Sequence, residues 1–152
     1  MEYIIYKDNP KPDIWILLIL NIPPVALVVL AVSLLASNLN EALTVLAFAF
    51  LLGLLNFFIL PIAYCIYDDK IKILFRGPFA FNIPFDHIDK ITTSKGPSLG
   101  ISLPTNLIQD SIVEILRKRR MSVIITPGDR DAFLDNFDKA FKNWRDQGRK
   151  IL

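Results

Sequence analysis

Residues 14–67 form an apolar run of 54 residues with one charged side chain, Glu41. A polar break, Ser37-Asn38-Leu39-Asn40-Glu41, divides it into segments 14–36 and 42–67, of 23 and 26 residues. About 20 apolar helical residues cross a hydrocarbon core roughly 30 Å thick, and a helix satisfies its own backbone groups where there is no water. The pattern therefore predicts a two-span transmembrane hairpin over 14–67, after a short head, 1–13. Pro23-Pro24 and Pro61 are expected to kink these helices or end their regular part. A cleaved signal peptide is not expected, because its apolar region is shorter, about 7–15 residues, and follows a basic stretch.

Beyond residue 67 the period changes to two. Ile71, Ile73 and Phe75 alternate with Lys72, Leu74 and Arg76, which suits a half-buried strand ended by Gly77-Pro78. Further strands are predicted over 88–93, 99–103, 111–116 and 121–126, the last two joined by a polar tetrapeptide as a hairpin. Antiparallel pairing is expected throughout, since no segment is long enough for a helical crossover. Thr126-Pro127-Gly128-Asp129 then reads as a helix start, with Thr126 as the cap. Phe133, Leu134, Phe137, Ala140, Phe141 and Trp144 fall on one face of the helix that follows, with Asp135/Lys139 and Asp138/Lys142 outside it. The expected fold is a membrane two-helix hairpin plus a mainly-β, α+β domain over 68–146: a bent antiparallel barrel with one C-terminal amphipathic helix. A short tail, 147–152, completes the chain.

Composition changes this picture little. The 85 residues from Asp68 onward hold 15 Lys/Arg and 11 Asp/Glu. The lone Cys65 cannot form an intrachain disulfide and reads as a small apolar residue in lipid or against a neighbouring helix rather than a palmitoylation or redox site. Orientation follows basic residues near span ends. Lys7 and Lys11 precede the first span and Lys70, Lys72 and Arg76 follow the second, while the inter-span loop has none. Both termini are thus expected in the cytoplasm at the cell membrane, with Trp15, Tyr64 and Tyr67 as interfacial anchors.

Within the hairpin, Asn21 and Asn56 can lie at similar depth, so a mutual amide hydrogen bond is expected, and Ala49 and Gly53 have the small-xxx-small spacing of close helix contact. Structural glue is the simpler reading than a transport path, because the spans carry no ionisable group beyond the break. The most unusual polar feature is Arg117-Lys118-Arg119-Arg120 on the predicted hairpin tip. It reads as a solvated turn, or as a contact for anionic lipid headgroups or an acidic partner. Nucleic acid is not expected, as the tip has no stacking aromatics. His87 is the only histidine, which leaves no pair of histidines for a metal site or catalytic dyad within the chain. Phosphate loops, dinucleotide fingerprints and nucleophile elbows are also missing, so no catalytic residues, metal ligands or cofactors are expected.

The run Tyr67-Asp68-Asp69-Lys70-Ile71, then Arg76-Gly77, the segment Ile83-Pro84-Phe85-Asp86-His87-Ile88-Asp89-Lys90-Ile91 and finally Ile124-Ile125-Thr126-Pro127 with Phe133-Leu134 resemble bacterial pleckstrin-homology-like (PH-like) domains anchored by two N-terminal membrane helices. Phe85 stands where that family has tryptophan. The resemblance covers roughly residues 62–146 and implies a seven-stranded, strongly bent barrel closed by a C-terminal helix, with no catalytic residues. A fainter likeness runs to photosystem I assembly factors, also two spans followed by a strand-rich domain. Two functions follow as expectations: a non-catalytic membrane protein presenting an interaction domain to another membrane protein or a second copy of itself, or an accessory subunit whose main interface is the hairpin.

Overall fold

The computed structural model describes residues 3–10, 12–93, 100–103, 105 and 112–149. Lys11, Leu99, Ser111 and most of the stretch 96–110 lie outside them. Strand β1 (Ile4–Asp8) opens the chain, followed by helices α1 (Ile14–Leu34) and α2 (Leu39–Ile59). Then come β2 (Pro61–Tyr67), β3 (Lys70–Phe75), β4 (Ala80–Pro84), a 3-10 turn (Phe85–His87), β5 (Ile88–Thr93), β6 (Gly100–Leu103), β7 (Val113–Arg117), β8 (Arg120–Ile125) and α3 (Arg130–Arg149).

Both α1 and α2 are 21 residues long and apolar enough to cross a bilayer. At 1.5 Å per residue each is about 31 Å long. They pack as an antiparallel pair, and most of their large apolar side chains face outward. The break between them is shorter than expected, because α2 begins at Leu39 and takes in Glu41. Asn38 caps it: its Oδ1 accepts from the Glu41 backbone N–H at 3.3 Å, and its Nδ2 donates to Glu41 Oε1 at 2.8 Å. This reciprocal arrangement satisfies an otherwise orphaned donor of the helix start and explains the one acid in the run. Pro23 and Pro24 lie inside a continuous α1 and do not end it. Pro61 does mark the end of α2: Leu60 before it is extended, φ −79° and ψ 125°, as the proline ring requires of its predecessor.

The second span is therefore shorter than hydropathy alone placed it. Residues 61–67 form a strand, β2, and the sheet domain starts there rather than at Asp68. The head is not separate either, since β1 pairs antiparallel with β2 (Lys7 opposite Cys65). The first sheet has the order β1-β2-β3-β4, so the helical hairpin is an insertion between the first two strands of a sheet. Tyr64 and Tyr67 are buried in this sheet and do not anchor the hairpin. Cys65, also fully buried, lies in protein rather than in lipid.

The second sheet has the order β5-β7-β8-β6. Its β7–β8 hairpin is antiparallel as expected, but β6 runs parallel to β8, with Gly100 opposite Ser122. A Cβ at Gly100 would collide with the Ser122 side chain and backbone; the strands approach this closely only because residue 100 has none. Both sheets and α3 share one core. Ile71 and Ile73 from the first sheet meet Val113, Ile115 and Val123 from the second beneath Phe133, Phe137 and Ala140 of α3. The stripe on α3 thus packs as its periodicity predicts, and Lys139 pairs with Asp135 at 2.6 Å outside it. The helix starts later than expected and runs on to Arg149. Its cap is Asp129, whose Oδ1 accepts from Ala132 N–H at 2.9 Å. Thr126 instead has both its hydroxyl and its carbonyl engaged with Thr105.

Candidate functional site

The basic tip is the turn between β7 and β8, and the fold brings its four cations together with unequal freedom. Arg117 lies over the Phe81 ring, 5.5 Å from its centroid, and its Nε donates to Met121 O at 2.7 Å. Burial, followed by the nearby charge of Arg120, lowers the Arg117 pKa from its ordinary value. Lys118 is tied to the 3-10 turn: its backbone N–H donates to His87 O at 2.9 Å and its Nζ to Asp86 O at 3.0 Å. Arg119 and Arg120 are exposed. Arg119 has φ 56°, a left-handed conformation costing a residue with a Cβ about 1 kcal/mol.

The position of the tip follows from β8. At the far end of that strand Thr126 meets Thr105 (hydroxyl to hydroxyl, 2.8 Å), and Thr105 O accepts from the N–H of Asp13, the cap of α1, at 2.6 Å. The six residue steps from Arg120 to Thr126 place the tip about 20 Å along the strand from the root of the helices. On its other side the tip approaches α2, since the Phe81 ring under Arg117 is two residues along the chain from Phe79, whose ring meets Phe58 in the last turn of that helix.

The root is held by a buried polar latch that joins four elements. The Tyr64 hydroxyl bonds Thr126 and Thr105, and burial pushes the Tyr64 pKa up to about 12 against those hydrogen bonds, which lower it. The Asp8 carboxylate, from β1, accepts from the backbone N–H groups of Gly128 (2.6 Å) and Asp129 (3.3 Å) just before α3. A Cβ at Gly128 would lie 3.1 Å from Asn9 O. The latch fixes the orientation of the domain on its helices. Residue periodicity could not find it, because Asp8, Tyr64, Thr105 and Thr126 are isolated in sequence. The Cys65 thiol is pushed up by burial, with Lys7 and Lys72 pulling it back. A thiol held protonated and covered is a poor nucleophile.

In the hairpin the two asparagines do not pair. Asn21 Nδ2 donates within its own helix, to Leu17 O at 2.6 Å, whereas Asn56 Nδ2 donates across to Leu20 O of α1. Asn21 therefore has no interhelical role, and the amide of Asn56 finds a backbone carbonyl in place of a side chain. Of the predicted small pair, Ala49 is buried in the seam, but a Cβ at Gly53 would meet nothing within 4 Å. The close approach falls instead on Ala42 and Ala49, seven residues apart, with Ala31 of α1 also buried. An open apolar groove of 560 Å³ beside this seam is lined by Val28, Leu43, Leu46, Ala47, Ala49 and Phe50.

Among the described residues no group of three His, Cys, Asp or Glu side chains gathers as a metal site. The segment Ile83–Ile91 has a structural use: Phe85 is fully buried, and its ring meets Phe137, Phe141 and Trp144 of α3 edge-on at centroid distances of 5.6, 5.6 and 6.0 Å. No family model, curated protein or solved structure matches the chain.

Proposed function

We propose that the chain is a non-catalytic integral membrane protein that presents a PH-like interaction domain at the cytoplasmic face of the cell membrane. The observation that carries this reading is the junction at Leu60: one residue separates a helix of bilayer length from β2, a central strand of the domain. With so short a connection the domain stays at the surface wherever the hairpin goes, which raises its effective concentration towards other membrane proteins. The PH-like part of the reading is supported by the element order. The seven strands β2–β8 and the terminal helix follow one another over residues 61–149, while β1 adds an edge strand ahead of the hairpin. The cytoplasmic side is supported by Lys7 and Arg76 beside the hairpin root and by the lack of Lys or Arg between the helices.

In this reading the tip serves recognition. Arg119 and Arg120, exposed and about 20 Å along β8 from the root, face an acidic segment of a partner protein. The reading is tested by crosslinking and pulldown from native membranes with three chains: the native one, one with a foreign two-span hairpin, and one with Arg119→Ser and Arg120→Ser. Partners kept with the foreign hairpin and lost with the serine pair support the reading. A second reading, an accessory subunit of a membrane complex, draws on the apolar groove beside Ala49, and it predicts that the foreign hairpin loses every partner.

A further inference from the structure

The β3–β4 turn, Arg76-Gly77-Pro78-Phe79, is pressed against the last turn of α2. The Phe79 ring meets Phe58 edge-on at 5.7 Å, and Phe58 meets Phe57 at 5.4 Å. Gly77 has φ +88°, and a Cβ there would lie 2.8 Å from the Phe58 ring, so only glycine allows this approach. Over the outer side of the cluster, the Arg76 guanidinium lies 4.7 Å from the Phe57 centroid. Phe57 and Phe79 remain 51% and 58% exposed, large apolar areas for residues at the base of a water-facing domain. No acid lies within the turn to pair with Arg76.

These positions make sense at one level of a bilayer. Because α2 is about as long as a hydrocarbon core is thick, its last turn falls at the edge of that core. Phe57 and Phe79 then sit at the top of the acyl chains and Arg76 at the phosphates. A guanidinium offers a phosphate paired N–H donors, and a ring beneath it adds a cation–π contact.

We propose that Arg76, with Phe57, Phe58 and Phe79, forms a headgroup site for an anionic phospholipid at the root of the domain, distinct from the basic tip. The site rests on the membrane reading above, and its lipid belongs to the same leaflet that the hairpin root enters.

The test uses the full chain in nanodiscs of phosphatidylcholine with a minor fraction of phosphatidylglycerol, reading the phosphatidylglycerol retained by native mass spectrometry. The native chain is expected to retain it selectively. Arg76→Gln should weaken retention about fivefold, the equivalent of one interfacial cation, Arg76→Lys should restore part of it, and Arg119→Ser with Arg120→Ser should leave it unchanged. Equal retention by the native and Arg76→Gln chains overturns the site, as does loss caused only by the tip changes. A photoactivatable phenylalanine analogue at Phe79 gives a reading that does not depend on altering Arg76: phospholipid crosslinks are expected, and crosslinks to protein alone overturn the proposal. Extraction of the native chain from membranes by alkaline carbonate would reject the membrane reading itself, before any question of lipid choice.

Discussion

The helical hairpin and the sheet domain are built from similar apolar side chains used in opposite ways. Phe50 on α2 is 70% exposed, while Phe85 and Phe133 in the domain are fully covered. The domain brings its own cover, two sheets and a helix around one core. The hairpin covers only a narrow seam, Ile16, Pro24 and Ala31 of α1 with Ala42 and Ala49 of α2, and leaves most of its outer surface bare. An apolar residue contributes to stability according to what surrounds it. In the domain the surroundings are other side chains packed to near-crystalline density; in the hairpin, on the membrane reading proposed above, they are lipid tails, which do not distinguish one apolar side chain from another.

The sharpest way to break this comparison is to truncate one ring in each region. Phe85→Ala should cost the domain about 3–5 kcal/mol, a large share of the 5–15 kcal/mol typical of a whole domain. Phe50→Ala should change hairpin stability by less than about 0.5 kcal/mol. Near-ultraviolet circular dichroism during denaturant titration in detergent reads the first, and SDS titration of helix content reads the second. Comparable losses in the two would mean that α2 is packed against protein.

Next in size is the latch at the root. Tyr64 is neutral when protonated, and its folded pKa of about 12 stands above the ordinary value of 10.0. Between those values the folded chain keeps a proton that the unfolded chain releases. Stability is therefore full below pH 10 and falls as pH rises to 12, by roughly 3 kcal/mol. Thermal melts from pH 9 to 12 should show this slope in the domain signal, and Tyr64→Phe should flatten it.

A smaller effect separates the two asparagines. Asn56→Leu should destabilise the hairpin by about 0.6–1.7 kcal/mol, the range for interhelical hydrogen bonds in membranes, whereas Asn21→Leu should leave it unchanged, both read by SDS titration. Equal effects from the two would contradict the bond from Asn56 to Leu20. The smallest change lies at the tip. Arg119→Gly relieves a left-handed residue and should raise the melting midpoint by the equivalent of about 1 kcal/mol. No gain would mean that the arginine side chain stabilises the turn in a way its backbone angle does not reveal.

How much of this was legible in the residues depended on period. The α3 stripe, the alternation in β3 and the β7–β8 hairpin were readable because each buries one face, and one face leaves a rhythm. Strand β2 left none: six of its seven residues are buried, on both faces, so Pro61–Tyr67 reads as a continuation of the apolar run. Only Pro61 marked the boundary, by forcing Leu60 out of the helix. The place of β1 was hidden for a different reason, since its partner lies more than fifty residues away across the hairpin. Among the candidate contacts, the basic tip was visible as a charge run, but its distance from the root required the register of β8. Arg76 read only as one of the basic residues that orient the hairpin and Phe79 gave no signal, because their joint meaning comes from the end of α2 beneath them.

On the membrane reading proposed above, the insertion of the hairpin between β1 and β2 makes completion of the sheet depend on where the two ends of the hairpin come to lie. Synthesis delivers β1 first, then both helices, and only then the strand that β1 must pair with. A chain whose hairpin crosses a bilayer once, or not at all, leaves Ile4–Asp8 on the wrong side or beside unsheltered helices. In the first case the latch from Asp8 to Gly128 cannot close. Completion of the first sheet thus requires both ends of the hairpin on one side, and a chain with a single crossing is left with an open edge on β2.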